Sequence, residues 1–113
     1  MNYLNRSILQ GKVVSTPTTK QLNPRTKITS FSLLTVESWL NDEGQPREHR
    51  NFVTVEVVGR DAERISKTPL NSYVTVEGYI RSDEIKGVHA VRVRTLTISV
   101  WGPEWTNVTS PSS

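Results

Sequence analysis

The strongest constraint on the fold is an alternating run at residues 27–39 that is answered by a second run after a polar break. In the first run Phe31, Leu33 and Thr35 fall on one face and Ser30, Ser32 and Leu34 on the other. A period of two is the mark of a half-buried strand. The cluster Asn41-Asp42-Glu43-Gly44-Gln45-Pro46 then supplies turn formers, so the chain is expected to reverse as a hairpin. The returning strand, residues 51–58, sets Val53, Val55 and Val57 on one side against Phe52, Thr54, Glu56 and Val58 on the other. One face of this pair should be core and the other open.

The remaining segments extend the same theme. Ser7-Ile8-Leu9-Gln10-Gly11-Lys12-Val13-Val14 reads as a first strand broken by a glycine, which inside a strand marks a bulge or a barrel corner. Residues 15–19 and 22–26 are rich in Ser, Thr, Pro and Asn and are expected to form a loop. One short helix is expected at residues 61–68, with acidic residues at its start and Pro69 to stop it. Residues 72–80 form the next strand, with Val74, Val76 and Ile80 on one face, residues 83–87 a charged turn, and residues 88–100 the last strand. In that strand the apolar positions change from odd (Val91, Val93) to even (Leu96, Ile98, Val100), which predicts a bulge or change of face near Thr95.

Three strands, a helix and two strands, with a glycine bend in the first, specify an all-β domain: a five-stranded OB barrel with one short helix between strands three and four. A sandwich would want about seven strands. At 113 residues there is room for one domain, expected to occupy residues 1–106 and to be followed by a polar tail at 107–113.

Several function classes drop out. No apolar run approaches the roughly 20 residues that span a bilayer, and the first residues lack the layout of a secretory signal. With no cysteine there is no disulfide, thiol nucleophile or cysteine-based zinc site; a reducing, cytoplasmic setting is the expectation. His49 and His89 are far apart, and no Walker loop, nucleophile elbow or H-E-x-x-H motif exists. No enzymatic activity, cofactor or metal is expected. Fourteen basic against eleven acidic residues give a net charge of only +3, so a polyanion would have to be held by local basic groups and flat rings.

Five stretches in order resemble the bacterial single-stranded-DNA-binding protein family. They are Asn5-Arg6-Ser7-Ile8-Leu9-Gln10-Gly11, Thr35-Val36-Glu37-Ser38-Trp39, residues 52–59 with an aromatic at the start and Gly59 at the end, Ala62-Glu63, and Tyr73-Val74-Thr75-Val76-Glu77-Gly78-Tyr79-Ile80-Arg81. The resemblance covers roughly residues 3–100. It implies non-sequence-specific binding and protection of single-stranded DNA in replication, recombination and repair, by a homotetramer or a dimer. It implies base stacking on Trp39 and Phe52, and phosphate contacts from Arg6, Arg81 and Lys86. Arg92 and Arg94, together on one face of the last strand, and Tyr79, on the polar side of its strand, complete the expected DNA-binding set. Glu56 and Glu77 would oppose phosphate if they lined the groove. Trp101 and Trp105 are expected beyond the barrel, in packing or subunit contacts.

The chain departs from the family in places. Val58 stands where a further aromatic is common, and the end Ser110-Pro111-Ser112-Ser113 lacks the family's acidic tail, which leaves recruitment of replication and repair proteins open. Two other readings follow: a dimeric primosomal replication protein, which resembles the family without the tail, and an OB barrel serving as an assembly subunit that binds no DNA.

Overall fold

In the computed structural model, residues 3–102 are described. They form six strands and one helix: β1 (Ser7–Val13), β2 (Thr18–Asn23), β3 (Thr26–Leu40), β4 (Pro46–Val58), α1 (Arg60–Ser66), β5 (Tyr73–Ile85) and β6 (Val88–Gly102). The strand order is β1-β5-β6-β4-β3-β2, and β1 also pairs with β3. That extra pairing closes β1, β5, β6, β4 and β3 into a five-stranded barrel, with one short helix between β4 and β5.

Closure depends on Gly11. Lys12 is the pivot: it pairs with Tyr73 of β5 and with Leu34 of β3. For β1 to pass from one neighbour to the other it must press against β3, and a Cβ on Gly11 would lie 2.1 Å from the Leu34 carbonyl oxygen. Only a residue with no side chain permits that approach. The predicted barrel corner is therefore real.

The second irregularity is also where the apolar parity changes. Glu77 pairs with Thr97 but Gly78 with Thr95, so Leu96 is the extra residue of a bulge. The switch lets Val93 and Ile98 both reach the core. Gly78 again allows a close approach, since a Cβ there would meet the Arg94 carbonyl oxygen at 2.1 Å.

The core is built from Val13, Phe31, Leu33, Val55, Val57, Ile65, Val74, Val76, Val93 and Ile98. Helix α1 turns Ala62 and Ile65 inward, and the buried Thr29 hydroxyl donates to the Ala62 carbonyl at 2.6 Å. This seals the barrel end beneath β3.

Three expectations need correction. The segment after β1 is not all loop: Thr18–Asn23 is a strand paired with β3, turning back through residues 24 and 25. It is an edge strand with every residue exposed, so nothing forces apolar alternation on it. The turn expected at 83–87 shrinks to Lys86 and Gly87, with φ of 53° and 81°, a pair of left-handed residues that suits a two-residue hairpin. Ile80 keeps the parity of Val74 and Val76, as expected, and stands exposed at the barrel mouth opposite the buried Val93. Trp101 lies within β6 rather than beyond the barrel. Trp105 and the proposed tail at 107–113 lie outside the described residues.

Candidate nucleic-acid interface

Two hairpins run on past the barrel as arms. The β3–β4 pairing is unbroken from Ile28↔Val58 to Leu40↔Pro46, and the β5–β6 pairing continues to Ile85↔Val88. Among the described residues, neither arm has a second layer to cover it beyond the barrel, which is why large apolar groups there stay open to water.

Trp39 lies near the tip of the first arm, 49% exposed, beside Leu40, Pro46 and Arg47. Phe52 lies at its root, 65% exposed. The two rings do not share a cleft. Phe52 pairs with Leu34, so it has the outward parity; Trp39 has the parity of Phe31 and Leu33. Strict alternation therefore opens them on opposite faces of the ribbon. Phe52 borders a groove of about 400 Å³ at the barrel mouth, lined also by Thr54, Ile80, Val91 and Arg92.

Arg6 is set by its neighbour. Asn5 accepts from the Ile80 amide at 2.9 Å and donates to the Ile80 carbonyl at 2.7 Å, so its side chain continues the β1–β5 ladder by one step. Arg6 then meets Glu77 at 2.6 Å, with both side chains well exposed. Tyr79 is half-buried on the same outward parity of β5, opposite Arg94. Lys86 stands exposed at the hairpin tip and, among the described residues, makes no ion pair.

Arg92 and Arg94 are placed differently from the expectation of open phosphate contacts. Their side chains are only 15% and 16% exposed. Glu56, 13% exposed, receives both: Arg92 Nε lies 2.7 Å from its Oε1, and Arg94 Nε and Nη2 each lie 3.1 Å from the same oxygen. Arg92 turns its Nη2 to Asp83, and Arg81 Nε stands 3.6 Å from that carboxylate. The hydrogen bond from Arg92 holds the Asp83 carboxyl below its ordinary range, and the Glu56 and Asp83 carboxylates raise the Arg92 guanidinium above its own. Glu56 and Glu77 thus face arginines, which removes the objection that they would repel a phosphate unopposed.

Asp83 is the member that the sequence reading missed. A strand reading of residues 81–85 would have found it, since Arg81 and Asp83 then share a face and Lys86-Gly87 as a two-residue turn brings that face against Arg92. Among the described residues no cluster of His, Cys, Asp and Glu could hold a metal ion, and no helix is long and apolar enough to cross a membrane.

Comparison with known proteins agrees with this architecture. A search of curated proteins found no match. Among solved structures, the single-stranded DNA binding protein of Thermus aquaticus superposes with a TM-score of 0.75 at 22% identity over 86% of this chain. This chain spans only 50% of the length of that protein. A single-stranded-DNA complex of the Plasmodium falciparum protein gives 0.78 at 20% identity, covering 88% of this chain and 95% of that one. The small single-stranded DNA-binding protein of Streptomyces coelicolor gives 0.65 at 23% identity, with the same coverage. At such identities the likeness is one of fold. The sequence itself matches the family's profile over residues 4–109, nearly its whole length, and the chain belongs to the Single-strand binding protein family.

Proposed function

We propose that this chain binds single-stranded DNA without reading its sequence and without chemistry, protecting it during replication, recombination and repair. The observation that carries this is the exposure of Phe52 beside a groove that Arg92 helps to line, with a second open ring at Trp39. An isolated ring that half faces water contributes little burial energy to the fold. It gains about 1–3 kcal/mol when a base stacks on it, and any base will do. Arg6, Arg81 and Lys86 are the exposed cations for the phosphates, and Tyr79 shares the outward parity of β5 with Arg81. Arg94 acts through the frame that it builds with Glu56. Membership of the family, and the DNA-bound Plasmodium relative, support the same reading.

The working unit is a homo-oligomer, a tetramer or a dimer, in the cytoplasm. β1 pairs on one side with β5 over Ser7 to Lys12 but meets β3 only at Lys12 and Val13. Its other edge, with Ile8 68% exposed, is suited to pairing with a second copy. The cysteine-free sequence suits a reducing compartment.

Titration with poly-dT, followed by tryptophan fluorescence, tests the DNA reading. Quenching that weakens as salt rises is expected. An unchanged signal, with no shift in sedimentation, would instead favour an assembly subunit, a role the internal neutralisation of Arg92 and Arg94 also fits.

A further inference from the structure

The ion-pair cluster on the outer face of β4, β5 and β6 has an uneven construction. Three arginines, Arg81, Arg92 and Arg94, face two carboxylates, Glu56 and Asp83. Glu56 is enclosed and takes three guanidinium nitrogens on one oxygen. Asp83 is different. Its side chain is 43% exposed and lies on an arm outside the barrel, in the fork between Arg92 and Arg81. Arg92 at the same time lines the groove that Phe52 borders. A strand stacking a base on Phe52 therefore brings its backbone toward a pair of arginines that an internal anion already holds.

We propose that Asp83 is an intramolecular stand-in for a DNA phosphate: it occupies the Arg81–Arg92 fork in the free protein and is displaced by the backbone when DNA binds. This inference rests on the DNA-binding reading and adds a regulatory residue to it. The geometry favours displacement of Asp83 over Glu56 because water and ligand reach only the former. A phosphodiester offers the same charge and the same acceptor oxygens as the carboxylate, so the arginines stay paired through the exchange. The hydrogen bond that holds the Asp83 carboxyl below its ordinary range keeps it charged, and so competing, at neutral pH. The energetic consequence is a built-in affinity penalty together with a reduced salt response, since one anion replaces another where a vacant fork would gain a new contact.

The test compares the full chain with Asp83→Asn and Asp83→Ser in oligo-dT titrations across a salt series. Asp61→Asn, which makes the same charge change at the Arg64 pair on α1, is the control for general electrostatics. Both Asp83 variants should bind several-fold tighter than wild type at low salt, with a log–log salt slope steeper by about 0.7, the increment for one more phosphate contact on a single strand. Asp61→Asn should move neither. Equal or weaker binding by both Asp83 variants overturns the inference while wild-type binding leaves the DNA reading intact. An equal gain in Asp61→Asn also overturns it, because net charge then accounts for the effect. If the wild-type protein binds no oligo-dT, the DNA reading fails first and the inference with it. Far-UV circular dichroism and melting of each variant establish that the fold is kept; should one neutral variant unfold, the other carries the comparison.

Discussion

Glu56 and Arg94 stand opposite each other at the parallel contact in the barrel, where β4 meets β6, and their side chains close to 3.1 Å. Parallel pairing there is confined to Val55↔Val93 and Glu56↔Arg94. The ion pair lies over this short ladder and ties the first half of the chain to the last strand. Its outer side is sealed by Arg92.

From that arrangement, Glu56→Gln should be strongly destabilising. The substitution leaves the mostly enclosed Arg94 guanidinium without a counter-charge and Arg92 with Asp83 alone, and breaking such a pair costs about 3 kcal/mol, the lower end of the range for buried pairs. Urea unfolding should show a lower midpoint with an unchanged slope. A variant as stable as wild type would show that water already screens the cluster.

Gly11→Ala tests the barrel corner. The added methyl would meet the Leu34 carbonyl at 2.1 Å, and strand β1 must give way. A loss of about 1–3 kcal/mol is expected for such overpacking, accompanied by faster amide exchange at Lys12 and Val13. Unaltered stability would mean that β1 can retreat from β3 without loss.

Leu33→Ala opens the centre of the core. Leu33 is fully buried among the core residues, and its truncation should cost about 2–5 kcal/mol. A melt within a degree of wild type would place the folding core elsewhere.

Phe52→Ala and Trp39→Ala should do the reverse of Leu33→Ala. Both rings are exposed, so unfolding should hardly change, while affinity for oligo-dT should fall by roughly 5- to 150-fold for each, the equivalent of losing one stack. Normal binding by the double variant would remove both rings from the site.

The Asp83–Arg92 pair predicts a defined acid response. Because the folded protein holds the Asp83 carboxyl below 3.8, ionised Asp83 stabilises the fold above that value, and the benefit is lost as pH falls through the lower, folded-state pKa. The melting-temperature advantage of wild type over Asp83→Asn should be level from pH 7 to about 5 and narrow below about pH 4. An advantage that widens on acidification contradicts the assignment.

What the sequence made legible follows from where burial imposes a pattern. β3 and β4 were readable because one face of each is buried, and the bulge at Leu96 because burial at both Val93 and Ile98 requires a change of parity. β2 escaped notice because all its residues are exposed, so Thr18 to Asn23 have no inner face to mark. The exposed rings could be named in advance but not their opposite facing, which depends on the register of β3 against β4. The ion cluster was hidden for a related reason: Glu56 and Arg94 are 38 residues apart and meet only through a parallel contact that no local pattern announces.

The unbroken β3–β4 ladder has one more consequence. Trp39 stands five residues further out than Leu34, the partner of Phe52, or about 17 Å at 3.4 Å per residue. Adding one residue to each side of the arm would slide the indole outward by a single rise and turn it to the opposite side. Adding two to each side would carry it about 7 Å further with its facing restored. The barrel would feel neither change. Such a hairpin works as an adjustable boom, on which the span between two grips on a flexible strand can lengthen in paired steps while the core sequence stays fixed.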